Sequence, residues 1–172
     1  MRTAYITHPA CRNHDTGPGH PERPSRLFAI EDRFVESGLD SILRHVDAPR
    51  VSDEQLLRVH PQSYIDAIRA SIPETGYVRL DPDTVVSSGS LEAALRAAGA
   101  VVAAVDLVMG GDMESAFCGV RPPGHHAEST RSMGFCIFDN IAVGAAHALA
   151  SHGLERVAIV DFDVHHGNGT EE

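Results

Sequence analysis

The sequence has few cysteines and no long apolar run, and both scarcities exclude classes of protein. Cysteine occurs three times, as Cys11, Cys118 and Cys136, and no two of these form a CxxC pair. Neither a disulfide framework nor a cysteine zinc cluster is therefore expected. No stretch approaches the roughly 20 apolar residues that a membrane helix needs, and the first residues lack the apolar segment of a signal peptide. These absences predict a cytoplasmic protein with no membrane partner.

Positive charge is also scarce. Lysine and arginine total 14 against 24 aspartates and glutamates, which gives a net charge of −10 over 172 residues. Because nucleic-acid binding needs a basic patch, we expect no nucleic-acid partner. The overall field favours a cationic ligand without locating a site for it.

Two common enzyme motifs are missing, whereas histidine is plentiful. The sequence contains no Gly-x-Ser-x-Gly, which disfavours a serine hydrolase, and its glycine-rich segments lack the phosphate-loop pattern. Four of the 11 histidines form two adjacent pairs, His125-His126 and His165-His166. Each pair follows a predicted strand.

Hydrophobic periodicity and turn residues predict alternating strands and helices. The predicted strands cover residues 3–7, 115–120 and 156–164. The predicted helices begin near Pro24, cover 51–70 with a break near Pro61, run from a capping Ser90 to the Gly110-Gly111 stop, and cover 140–151. This alternation predicts an α/β fold, with a parallel sheet and helices on both faces. Ligands of such sheets bind at the carboxyl ends of strands.

The last predicted strand carries two carboxylates and an imidazole on one face. Side chains alternate along a strand, so Asp161, Asp163 and His165 point to the same side. Burying two carboxylates together is costly unless a cation or strong donors compensate. Mixed nitrogen and oxygen ligands suit a divalent metal such as zinc. The alternative is that the aspartates cap the following loop beside surface histidines.

The tandem histidines His125 and His126 are candidates for proton transfer. Histidine is the side chain best suited to donate and accept protons near neutral pH. A carboxylate such as Asp161 can orient one ring and stabilise its charged form. A purely structural role for the two histidines is the alternative. Taken alone, Phe135 is readily a core residue and Asp83 the closing residue of a turn.

Several segments together resemble a known family. They are Gly19-His20-Pro21-Glu22-Arg23-Pro24, Arg121-Pro122-Pro123-Gly124-His125-His126, Gly134-Phe135-Cys136 and Asp161-x-Asp163-Val164-His165-His166-Gly167-Asn168-Gly169. In this order they resemble the histone deacetylase superfamily, in the class II form shared by bacterial histone-deacetylase-like amidohydrolases and acetylpolyamine amidohydrolases. The resemblance implies the arginase–deacetylase fold. It also implies zinc-dependent removal of acetyl groups from acetyl-lysine or acetylated polyamines.

The resemblance also assigns roles around the metal. Asp163 and His165 correspond to two zinc ligands of the family. His125 and His126 correspond to its proton-handling histidines. Asp161 corresponds to the acid that supports the first histidine, and in many members it also lies at a site for K⁺ as a structural ion.

The remaining correspondences concern the second histidine and the substrate. Asn168 stands where some members carry an acid that supports the second histidine. Gly134 and Phe135 correspond to the wall of the acyl-lysine tunnel, and Asp83 to a rim acid that holds substrate backbone. Arg23 corresponds to an arginine near the internal channel of the family.

Two parts of the family site have no counterpart in the sequence. The third zinc ligand, another aspartate, and the oxyanion-stabilising tyrosine belong to the C-terminal half of the family domain, whereas Tyr5, Tyr64 and Tyr77 all precede the tandem histidines. We therefore expect residues 1–172 to be the N-terminal part of one deacetylase domain, inactive alone and prone to form a homo-oligomer. Two alternatives remain: an inactive half-domain with a binding or regulatory role, and a binuclear manganese enzyme of the ureohydrolase type.

Overall fold

The computed structural model describes residues 2–172, which form short strands and longer helices. The strands are β1 (Thr3–Thr7), β2 (Arg44–Asp47), β3 (Val78–Arg79), β4 (Val85–Val86) and β5 (Ser115–Cys118). The helices are α1 (Ser25–Ser37), α2 (Asp53–Leu56), α3 (Gln62–Ser71), α4 (Ser90–Met109), α5 (Asn140–His152) and α6 (Asn168–Glu171). Two 3₁₀ turns cover Pro9–Arg12 and Leu39–Ser41. None of the helices in this range is both long and apolar enough to cross a membrane.

A three-stranded parallel sheet lies at the centre in the order β2-β1-β5. Ile6 of β1 is in register with Val46 on one side and Cys118 on the other. β3 and β4 form a separate antiparallel pair. The predicted parallel α/β sheet is confirmed. Its parallel strands place the loops after β1 and β5 at the same edge.

Helices cover both faces of this sheet, as predicted. On one face, Ala4 and Ile6 pack with Ala100 of the alanine-rich α4 in a buried cluster. On the other face, the ring of Tyr5 meets Phe34 of α1 edge to face, with ring centroids 5.2 Å apart. Because β1 alternates its side chains, one short strand anchors both layers.

A second core joins the helices. Leu56 of α2, Ile65 of α3 and Val143 of α5 pack with α4 residues in one buried cluster. The break at Pro61 between α2 and α3 occurs where the sequence predicts it. A capping box closes the start of α2: Ser52 accepts from the Gln55 backbone, and the Gln55 side chain accepts from the Ser52 backbone.

Residues 156–164 are not a strand, so this prediction is wrong. The segment has no regular secondary structure, and no neighbouring strand among residues 2–172 bonds to it. The apolar side chains of Val160, Phe162 and Val164 are 84%, 97% and 93% exposed. Apolar alternation alone does not make a strand, because a strand also requires a partner that supplies a hydrogen-bond ladder.

Two boundaries also differ from prediction. Ser90 is the first residue of α4 and does not cap it, because Gly89 holds the cap position without a side-chain bond. The Ser90 hydroxyl instead accepts from the Ser87 backbone NH. β5 ends at Cys118 rather than at residue 120.

Candidate active site

The loop that follows β5 brings His125 against Asp161. Nδ1 of His125 lies 2.8 Å from Oδ2 of Asp161, across 36 residues of sequence. The backbone NH of Asp163 and the His125 ring both bond to the Asp161 carboxylate and lower its pKa. This carboxylate therefore stays charged and orients the His125 ring. The predicted contact between Asp161 and the tandem histidines is present.

His126 is held by an amide instead of a carboxylate. Its Nδ1 lies 2.8 Å from Oδ1 of Asn168, and the two histidine rings are 4.0 Å apart between centroids. The Asn168 amide nitrogen donates to Glu128 at 2.9 Å, which turns the amide oxygen toward the histidine. Nδ1 of His126 must then carry the proton, and Nε2 is left with a free lone pair.

Asp163 and His165 lie next to the tandem histidines. Nδ1 of His165 is 3.0 Å from Oδ1 of Asp163, and the His165 ring centroid is 5.9 Å from that of His126. The backbone NH and the ring of His165 both bond to the Asp163 carboxylate and lower its pKa. A charged oxygen and an imidazole nitrogen thus converge, although both residues are exposed.

One cleft of about 330 Å³ contains most of the predicted site. Its lining includes Asp83, His125, His126, Gly134, Phe135, Asp163 and His165. Asp161 and Asn168 lie behind this lining and contact it through the two histidines. The nine residues predicted to catalyse, hold metal or bind substrate are therefore at or behind one cleft.

The wall of the cleft depends on an unusual backbone at Gly134 and Phe135. Both have positive φ, 57° and 70°, and a Cβ on Gly134 would meet the His126 ring at 2.3 Å. Asp83 accepts from the Gly134 NH at 3.1 Å, and Thr84 accepts from the Phe135 NH at 3.0 Å. Asp83 thus holds this loop, and Phe135 lies in the cleft rather than in the core.

A buried ion pair, one member of which lines the cleft, was not predicted from the sequence. Arg121 donates from Nη2 to Oε2 of Glu22 at 2.6 Å, and both side chains are almost fully buried. Arg121 also donates to the backbone oxygens of Cys11 and His14. Arg23, the arginine singled out from the family resemblance, is exposed. The sequence around Glu22 and Arg23 does not indicate which of the two is buried. Glu22 is buried because Arg121, 99 residues away, pairs with it.

Glu128 was also missed, although it lies two residues after the tandem histidines. Its role depends on Asn168, 40 residues away. The short spacing from His126 could have indicated that Glu128 lies near the site. A single glutamate in a polar loop, however, is equally compatible with a solvated surface position.

Asp163 and His165 offer two of the three protein ligands that a catalytic zinc site needs. One carboxylate oxygen and one imidazole nitrogen lie within 3.0 Å and face the cleft, and zinc accepts such ligands. A catalytic zinc site has three protein ligands. Within residues 2–172, no third histidine, cysteine or carboxylate completes a compact group with these two.

The fold and the cleft define the class. This is an α/β protein with a parallel sheet, and loops beyond that sheet join two supported histidines to a candidate metal-binding pair. The histone deacetylase domain family matches residues 20–172, and the chain belongs to that family.

The relatives agree with this assignment. A histone deacetylase-like amidohydrolase of Pseudomonas aeruginosa is 40% identical over 187 aligned positions, covering 99% of this chain and 49% of that protein. The human polyamine deacetylase HDAC10 is 38% identical, covering 87% of this chain and 23% of that protein. A solved HDA15 HD domain superposes with a TM-score of 0.93 at 35% identity, covering 99% of this chain and 49% of that domain. The chain thus spans half or less of the length of these relatives.

Proposed function

We propose that residues 1–172 are the N-terminal part of a single deacetylase domain, and that the whole protein is a zinc-dependent amidohydrolase of acetylated amines. The observation that carries this proposal is the arrangement in one cleft. His125 is supported by Asp161, His126 is supported by Asn168, and Asp163 and His165 lie beside them. Acid–base groups next to metal ligands are what hydrolysis of a stable amide requires.

The two histidines have different parts in the proposed reaction. His126, with its proton on Nδ1, takes a proton from the attacking water at Nε2 and returns it to the leaving amine. His125 is the electrostatic partner, and the charged carboxylate of Asp161 orients its ring. Asp163 and His165 would hold a Zn²⁺ ion, which supplies Lewis-acid polarisation of the amide carbonyl when bound.

The cleft wall suggests how substrate is placed. Gly134 keeps the space over the His126 ring free, since any side chain would collide with it. Phe135 supplies an apolar surface for an acyl chain, and Asp83 lies at the same cleft with its carboxylate bonded to the Gly134 NH. These residues suit a narrow chain that ends in an acetyl amide.

Two substrate classes are proposed, acetyl-lysine and acetylated polyamines. The P. aeruginosa relative is named an amidohydrolase and the human relative a polyamine deacetylase. The charge of −10 favours a cationic polyamine over a neutral peptide. A cytoplasmic location, K⁺ bound near Asp161 and homo-oligomer formation are further parts of this proposal.

A chimera tests it. Residues 1–172 are joined to the part of the P. aeruginosa relative that lies outside the alignment, and turnover of acetyl-lysine and acetylpolyamine substrates is measured with zinc. We expect turnover by the chimera and none by residues 1–172 alone.

The other outcomes distinguish the alternatives. A chimera that folds and binds zinc without turnover supports an inactive half-domain. Hydrolysis of a guanidino substrate with Mn²⁺, and of no acetyl amide, supports the ureohydrolase alternative. Ordinary deacetylase turnover by residues 1–172 alone would show that a residue within this chain completes the site.

A further inference from the structure

Outside the cleft, α4 and α5 lie side by side and run in the same direction. Gly144 of α5 permits the close approach, because a Cβ there would overlap Cγ1 of Val101 on α4 at 2.3 Å. One to two turns further on, Asp106 of α4 faces His147 and His152 of α5. The tight helix contact thus fixes three potential metal ligands at the carboxyl ends of two helices.

The three ligand atoms form a compact group. Oδ1 of Asp106 lies 2.7 Å from Nε2 of His147 and 2.7 Å from Nε2 of His152. Within residues 2–172, these are the only three histidine, cysteine or carboxylate side chains whose ligand atoms all lie within 4.8 Å of one another. None of them lines the cleft of the candidate active site.

We propose that Asp106, His147 and His152 bind one divalent transition-metal ion of the zinc type, at a site separate from the deacetylase cleft. Two imidazole nitrogens and one carboxylate oxygen are a donor set that zinc accepts. The negative ends of the α4 and α5 dipoles add attraction for a cation. Half of the Asp106 side chain is exposed, so an ion can enter from solvent.

Without metal, the same atoms are satisfied by hydrogen bonds. Arg58 can only donate, and its Nη1 lies 2.9 Å from Nδ1 of His147. The proton of His147 is therefore on Nε2, from which it donates to Asp106. Metal binding needs that proton to move to Nδ1, so that Nε2 can present its lone pair.

Two neighbours of His147, Ser151 and Arg58, allow its proton to move from Nε2 to Nδ1. Ser151 has its hydroxyl 3.3 Å from Nδ1 of His147 and can accept a hydrogen bond from the proton once it is on Nδ1. Outer partners of this kind orient metal-ligating histidines. Arg58 already bonds to Glu54 at 3.2 Å and can turn fully to it. Arg58 therefore opposes metal binding, and the bound ion would clip α4 to α5.

The test uses the chain with both Asp163→Ala and His165→Ala, which removes the predicted ligands in the cleft. Zn²⁺ is titrated calorimetrically, and thermal unfolding is followed with and without the metal. We expect one ion per chain and a higher melting temperature with Zn²⁺, because the ion binds the folded state. Since the cleft ligands are absent, this result is independent of the proposed deacetylase activity.

Matched variants in that background locate the ion. Loss of an outer partner weakens metal binding by about 10- to 100-fold, so loss of a ligand in His152→Gln should weaken it by about 100-fold or more. Asp106→Asn, which keeps the shape of the side chain, should do the same. His45→Gln is the control, because His45 is another exposed histidine paired with an aspartate, Asp40, at 3.1 Å. It should leave the affinity unchanged. Arg58→Gln should tighten binding, because it removes the competing donor and a like charge.

No Zn²⁺ binding in the background protein would overturn the proposal and leave a hydrogen-bonded cluster only. Equal affinity in His152→Gln, Asp106→Asn and the His45→Gln control would also overturn it, by placing the ion elsewhere. Circular dichroism of each variant separates loss of the site from loss of the fold.

Discussion

At the scale of single residues, the two adjacent histidines differ in what supports them. His125 faces the charged carboxylate of Asp161, whereas His126 faces the neutral amide of Asn168. A carboxylate stabilises a positive ring, while an amide fixes the tautomer without adding a full charge. The difference favours His126 as the group that takes up and returns a proton.

Replacing His126 with alanine in the chimera should reduce turnover by about 10²–10⁴-fold, the usual contribution of a general base. Zinc content should be unchanged, because His126 is not a proposed ligand. Steady-state kinetics and metal analysis on the same preparation check both. Near-normal turnover by a zinc-loaded variant would rule out this role.

The metal ligands give a second prediction at this scale. In a chimera that also carries His152→Gln, to weaken the separate site proposed between α4 and α5, Asp163→Ala and His165→Ala should each lose most of the zinc, because a catalytic site has only three protein ligands. Asp161→Ala should keep more zinc, since its carboxylate bonds to the His125 ring and the Asp163 backbone. Metal content after dialysis is the measurement. Similar losses in all three variants would contradict this division of roles.

At the scale of elements, the start of α4 is tied to the loop after β1 by a buried histidine. Nδ1 of His14 lies 2.7 Å from the hydroxyl of Ser90, and Nε2 lies 3.6 Å from the Glu22 carboxylate. Burial lowers the pKa of His14 to about 4, with Arg121 acting in the same direction and Glu22 against it. The histidine therefore stays neutral in the folded protein.

The lowered pKa of His14 makes the free energy of unfolding depend on pH. An unfolded histidine binds its proton near pH 6.5, whereas folded His14 does so only near pH 4. Stability should therefore be complete above about pH 6.5 and fall as pH drops toward 4, by at most about 3 kcal/mol from this residue. Chemical unfolding at several pH values measures the slope. His14→Gln should flatten it, and an unchanged slope would assign the effect to other groups, such as the buried His60, whose pKa burial also lowers.

At the scale of the whole molecule, the main unusual feature is the exposed apolar segment 156–164. Folded proteins normally bury such a segment. Val160, Phe162 and Val164 are almost fully exposed, whereas Asp161 between them bonds to His125. An exposed apolar segment without a strand partner invites association with another chain.

Residues 1–172 should therefore self-associate through this segment. Phe162→Ser should shift the molecules toward monomer, whereas Val35→Ser, which replaces an exposed valine on α1, should not. Sedimentation at several concentrations gives the mass of each. A concentration-independent monomer of the unaltered chain would contradict the expectation, and an equal effect of both variants would place the contact elsewhere.

The sequence by itself determined the local elements and much of the candidate site. Periodicity and turn residues placed β1, α1, α3, α4 and α5, because a helix or strand with one buried face must repeat its apolar residues. The alternation from Val160 to His165 predicted Asp161, Asp163 and His165 on one side of a strand. In the structure, local loop contacts join the three residues instead: Asp161 accepts from the Asp163 NH, and Asp163 accepts from the His165 NH.

Only the tertiary structure decided which distant residues meet. The buried pair of Glu22 and Arg121, the contact of Glu128 with Asn168, and the group of Asp106 with His147 and His152 each join segments about 40 to 100 residues apart. No local pattern encodes such pairs, because each residue alone is equally suited to a solvated surface. The strand predicted at 156–164 was wrong for the same reason: a strand exists only with a neighbour to bond, and that neighbour is a property of the fold.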